Sequence, residues 1–177
     1  GIGTDAMGAV DAGLHDSATT NYNIAIGLDA LKGGDFVEAN KTLHGNIAIG
    51  HQALDHTAAN SQTGLVAIGH EALTAVTSGG GNMGIGYQAG LALSTSQNNL
   101  AIGYQTLSKA TTATDNCIAI GNYTMDGNFT TADLDAVVCI GYQAMRGVLT
   151  SGALGTVAIG ASALAALTDG AKNTAIG

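Results

Sequence analysis

The pair Ile-Gly occurs ten times in this chain, closing at Gly3, Gly27, Gly50, Gly69, Gly86, Gly103, Gly121, Gly141, Gly160 and Gly177. The intervals are 24, 23, 19, 17, 17, 18, 20, 19 and 17 residues. Self-similarity at a period of this length marks a solenoid, in which each unit packs only on its neighbours. The expected fold is therefore mainly β: a repeat solenoid, either β-roll or β-helix, of about nine stacked units forming one array over residues 1–177. Such a chain makes a rod with a long surface rather than one catalytic pocket.

With the repeated Gly as position 0, position −1 is Ile in every copy. Position −3 carries Ile24, Ile47, Val66, Met83, Leu100, Ile118, Val138, Val157 and Thr174. Large apolar residues two apart, around a small one, give the period of a short strand. Stacked copies are expected to join the Ile residues into a ladder that forms the core. Position −2 accepts only Gly, Ala or Cys. Excluding both bulk and polarity points to close contact with another backbone. That contact is either a tight two-layer core within one chain or a seam between subunits around a threefold axis. We take the second as the expectation, with Ala25, Ala48, Ala67, Gly84, Ala101, Ala119, Cys139 and Ala158 as the seam.

After the Gly, position +3 is Ala or Thr, and position +4 is Leu or Met in all copies but one, where Gly90 precedes Leu91. Phrases such as His51-Gln-Ala-Leu54 and Tyr142-Gln-Ala-Met145 suit single helical turns or second short strands; so short a run does not decide between them. The Gly between the two segments is the natural corner, because it tolerates positive φ. The rest of each unit is a polar connector of variable length. Its longest forms span Gly8 to Asn23, Lys32 to Asn46 and Asp126 to Val137, two of which hold Phe36 and Phe129. Asn recurs at position −4, as Asn23, Asn46, Asn82, Asn99 and Asn173. Asn there suits a turn and can build a hydrogen-bonded ladder along the stack. Cys117 at −4 and Cys139 at −2 would stand about 8 Å apart in adjacent units. A disulfide needs less than about 7 Å, so two free thiols are expected.

Net charge is −8, from 13 acidic and 5 basic residues. A nucleic-acid partner would want a basic stripe, and there is none. No apolar run approaches the length that spans a bilayer as a helix. The chain begins and ends inside the repeat, so it is read as a fragment of a longer fibre.

Specific chemistry finds little support in the sequence. Gly1-Ile-Gly-Thr-Asp-Ala-Met-Gly8 and Gly84-Ile-Gly-Tyr-Gln-Ala-Gly90 lack the spacing and the distant acid of a dinucleotide fingerprint. No cofactor, metal or catalytic residue is expected, and the chain is not read as an enzyme. Asp133 and Asp135, or Asp126 beside them, would be the pair to consider for glycoside cleavage. At position +1, His51, His70, Tyr87 and Tyr104 follow one another and Tyr142 returns to the pattern. Stacked units should join these rings in one ladder, which is either structural or a contact strip for a ligand.

The phrase Asn-x-Ala-Ile-Gly-Tyr-Gln-Ala-Leu, present in pieces at Asn46 to Leu54 and Asn99 to Leu107, resembles the repeats of phage tail-fibre proteins. Val66 to Gly69 and Val157 to Gly160 are similar to the Val-Ala-Ile-Gly core of trimeric autotransporter adhesin heads. Those heads use a tighter unit than the shortest interval here, which favours the tail-fibre likeness. The resemblance implies an intertwined or side-by-side homotrimer, outside the cell or on a virion surface. It also implies a structural fibre segment, a stiff spacer that meets a host-surface glycan or protein receptor. The alternatives are the head of a bacterial trimeric surface adhesin and a polysaccharide-cleaving tailspike. No nucleic acid and no membrane insertion are expected.

Overall fold

A computed structural model describes residues 1–8, 19–33, 42–57, 61–110, 114–129, 134–150 and 152–177. Phe36, Asp133 and most of the first two long connectors lie outside these residues. Among the described residues there are fourteen strands and no helix. Nine strands come from the residues just before the repeated Gly: β2 (Ile24–Ile26), β4 (Ile47–Ile49), β6 (Val66–Ile68), β7 (Met83–Ile85), β8 (Leu100–Ile102), β10 (Ile118–Ile120), β12 (Val138–Ile140), β13 (Val157–Ile159) and β14 (Thr174–Ile176). They form one parallel sheet whose spatial order is the sequence order. Like positions pair throughout; Ala101, for instance, stands opposite Gly84 and Ala119. At about 4.8 Å per strand, eight steps make a ladder of about 38 Å. Shorter strands form two flanking sheets: β1 (Thr19–Asn21), β3 (Thr42–His44) and β5 (Gln62–Thr63) in one, β9 (Thr114–Asp115) and β11 (Leu134–Asp135) in the other. The chain is a parallel β-solenoid.

The repeated Gly is the corner of every coil. All ten have φ between +125° and +146°, a conformation that L side chains rarely adopt. A Cβ at Gly103 would stand 2.6 Å from the Gly121 carbonyl oxygen, and one at Gly27 2.6 Å from that of Gly50. The invariance therefore has two causes, backbone conformation and the approach of the next coil.

The stretch after the Gly is neither helix nor strand. Positions +2 and +4 are both left-handed in coil after coil: Gln52 and Leu54, Glu71 and Leu73, Gln105 and Leu107, Gln143 and Met145 all have φ between +47° and +56°. Each costs on the order of 1 kcal/mol for a residue with a side chain. Hydrogen bonds between coils offset this. The Gln105 N–H donates to the Tyr87 carbonyl of the preceding coil at 2.8 Å, and the Leu107 N–H to the Thr124 carbonyl of the following coil at 3.0 Å. Alternating handedness points successive N–H groups up and down the stack, so these turns stack as strands do. A third corner, at position −5, is also left-handed, and Gly45, Gly64, Gly81, Gly155, Asn98 and Asn116 suit it.

The core runs opposite to one expectation. The Ala at position −2 points inward and the Ile at −1 and −3 outward. Ala48, Ala67, Ala101, Ala119 and Ala158 are 0% exposed in the single chain, while Ile24, Ile26 and Ile140 are 37% to 47% exposed. The interior is only one side chain deep, and Leu or Met at +4 fills it. A Cβ at Gly84 would meet Leu73 Cγ at 2.8 Å, and the Cys139 thiol lies 3.6 Å from Met145 Sδ. Space facing a Leu that already spans the coil leaves room for Ala and not for Ile.

Where Asn stands at −4 with a coil following, it clamps that coil to the next. Asn46 Nδ2 donates to the Gln62 carbonyl at 3.0 Å, and its Oδ1 accepts the Leu65 N–H at 3.0 Å. Asn99 does the same with Thr114 and Cys117, at 2.6 and 2.9 Å. Both Asn side chains are buried, with amides satisfied as buried amides must be.

Corners and clamps differ in what they tolerate. Gly103→Ala destabilises the fold by at least about 2 kcal/mol, whereas Ala136→Gly, at an exposed left-handed corner, raises stability by up to about 1 kcal/mol. Asn99→Leu costs about 2–3 kcal/mol, because buried backbone groups lose their partners. Denaturant melts of the three variants check all of this.

Candidate functional site

The side chains best placed to meet another molecule lie on two columns, the outward Ile face and the ring edge beside the Gly corner. The rings form a continuous ladder. Centroid separations run 5.0 Å for His51–His70, 5.1 Å for His70–Tyr87 and 4.9 Å for Tyr87–Tyr104. The last two pairs are parallel within 11° and 9°, and the His pair is tilted by 42°. The ladder then turns edge-on through Tyr123, 5.3 Å from Tyr104 and 6.3 Å from Tyr142. Sequence reasoning missed Tyr123 because it occupies +2, with Asn122 standing at +1. Its ring reaches back into the column, and the Arg146 guanidinium sits 5.3 Å from its centroid.

Position +2 adds a second polar column, also missed from sequence. Gln105 Nε2 donates to Gln88 Oε1 at 2.7 Å, and Gln88 Nε2 to Glu71 Oε2 at 2.6 Å. The recurrence of Gln or Glu beside each ring was the available signal. The rings cover each other's faces, so an incoming molecule meets their edges and hydroxyls, not open faces to stack on. Tyr87, Tyr104 and Tyr142 are 39%, 41% and 53% exposed.

The expected subunit seam is corrected. Ala25, Ala48, Ala67, Gly84, Ala101, Ala119, Cys139 and Ala158 are enclosed within their own coil and present no surface to a second chain. The tight two-layer core is what the small residues serve, and added bulk at Ala101 would overfill the coil itself. The outer face of the same sheet carries the aliphatic surface. No charged residue occurs at positions −3 to 0 in any copy.

Asp126 and Asp135, the candidate acids among the described residues, are each held by different partners. Asp126 is 3% exposed; it accepts from the Ser108 hydroxyl at 2.5 Å and the Lys109 ammonium at 3.1 Å. Asp135 is exposed on β11, opposite Asp115, and accepts from Asn116 Nδ2 at 3.0 Å. Asp133 lies outside the described residues. Asp55 is pushed above the usual carboxylate range by burial, an effect opposed by the neighbouring His56. Among the described residues no group of three or more His, Cys, Asp or Glu is placed to hold a metal ion, and no helix is long and apolar enough to cross a membrane.

Both cysteines are buried and neither is in a disulfide, as the spacing predicts. Burial pushes the Cys139 thiol up to about 12, with a smaller contribution from Cys117. An acid whose folded value is raised gives up stability as pH climbs through its unfolded value, because the unfolded chain then releases a proton that the folded one keeps. The native thiol should resist alkylation at pH 8. Above about pH 9, stability should fall by up to about 1.4 kcal/mol per pH unit from this group. Cys139→Ala, the residue most coils carry there, should remove that part of the alkaline loss in a pH series of denaturant melts.

Compared with models of known families, with curated proteins and with solved structures, the chain matches none.

Proposed function

We propose that this chain is a segment of an extracellular or virion fibre of the tail-fibre kind, a stiff spacer built from three copies side by side. The observation that carries the reading is the strip of Ile, Val, Leu and Met along the outer face of the nine-stranded sheet. It is aliphatic, uncharged and continuous along the ladder. A strip of about 38 Å by 10 Å amounts to roughly 400 Å² of apolar surface, at the size where contiguous patches mark interfaces. A partner matching it along its whole length needs the same axial rise per rung, and another copy of this chain has it. Three such faces close around an axis, which buries the strip and leaves the connectors and ring edges outside. The ring edges of His51, His70, Tyr87, Tyr104, Tyr123 and Tyr142 are then the surface offered to a host receptor.

Light scattering on a sizing column tests the assembly. Three chains of 17.4 kDa give about 52 kDa. Ile85→Glu with Ile102→Glu puts charge in the strip without touching the coil interior, so it should yield a folded species of 17.4 kDa with an unchanged circular dichroism spectrum. A wild-type monomer would overturn the trimeric fibre reading.

A further inference from the structure

We propose that His51 and His70 form a two-imidazole chelate for a divalent transition metal such as zinc, bridging adjacent coils. They are neighbours on the ring ladder, with centroids 5.0 Å apart. Their planes are inclined by 42°, where the next two pairs are nearly parallel, so this pair is not closed face to face. The backbone beneath them is fixed, since the Glu71 N–H donates to the His51 carbonyl at 3.0 Å. The two imidazoles therefore need only side-chain rotation to meet one ion.

A second observation concerns protonation. His70 Nδ1 is buried, makes no hydrogen bond and faces Glu71 Oε2 at 3.6 Å. A ligating imidazole characteristically turns its other ring nitrogen to a carboxylate, which fixes the tautomer and strengthens the donor. Glu71 stands beside that nitrogen, and a small rotation that closes the 3.6 Å gap to a hydrogen bond would leave Nε2 of His70 with the lone pair for the metal. Gln88 holds Glu71 there through its 2.6 Å hydrogen bond. With two protein ligands, water completes the coordination of zinc, which favours nitrogen donors. The chain's net charge of −8 favours a cation.

The same position supplies the control. Tyr87, Tyr104 and Tyr142 stand in this column in other coils, so His51→Tyr and His70→Tyr keep a ring in the stack and remove the nitrogen. Titration calorimetry with zinc chloride alone should give one ion per chain, with a higher melting temperature when zinc is bound. Each of the two variants should lower affinity at least tenfold, and Glu71→Gln about tenfold. His56→Gln should bind as the wild type does. No saturable binding by the wild-type chain, or equal affinity in His51→Tyr and His70→Tyr, would overturn the proposal. The test does not depend on the number of chains in the assembly.

Discussion

Backbone packs directly on backbone at the repeated Gly corners, and the other features are arranged around that contact. Each repeated Gly lies against the carbonyl of the next, with less room than a methyl group needs. The corner permits the rise of about 4.8 Å that the hydrogen-bonded parallel strands set, and that rise brings like residues into register from coil to coil. Ladders of Ile, Ala, Leu, Asn and ring side chains are consequences of the register rather than separate inventions. A single Cβ in the column would push two coils apart and loosen every ladder at that level.

The thin interior follows from the same geometry. Between Leu or Met at +4 and the wall of the sheet, a coil this tight has room for Ala; the connector wall adds Leu65, Leu93, Phe129 and Leu134 to the same interior. Its polar groups are handled locally: the buried Asn46, Asn82 and Asn99 bond along the axis instead of across the core. Where Asn is absent at this position, Cys117 partly replaces it, its thiol lying 3.4 Å from the Leu134 carbonyl. Thr106 and Thr124 use a related device, donating to the Gly121 and Gly141 carbonyls of the following coil. The large side chains at positions −3 and −1 are left facing outward, and this gives a single chain its apolar exterior.

Much of this was legible in the sequence. The repeated Ile-Gly announces the solenoid, the strand, the corner and the ring ladder; Asn at −4 announces its clamps; the cysteine spacing rules out a bridge. What alternation does not reveal is which of its two faces is inside. Ranked by hydrophobicity, Ile85 belongs in a core and Ala101 does not; the order reverses because Leu at +4, on a different wall, has already filled the space. The turn after the Gly was hidden for another reason. Residues such as Leu107 and Gln143 have no local preference for left-handed backbone, and the hydrogen bonds that hold them there come from other coils. Tyr123 was hidden because a side chain one position out of phase can still lean into a column that spacing alone does not assign it.

The direction of the hydrogen bonds also bears on how such a rod carries load. In the nine-stranded sheet they run nearly along the axis, so tension applied at the two ends pulls each bond along its length. The ladder then opens one rung at a time, like a peeled strip, instead of resisting through many bonds sheared together. A lone chain is accordingly stiff against bending and compression, while its tensile strength is limited to about one rung. Anything fastened along its side, spanning several rungs at once, would convert that sequential rupture into a collective one.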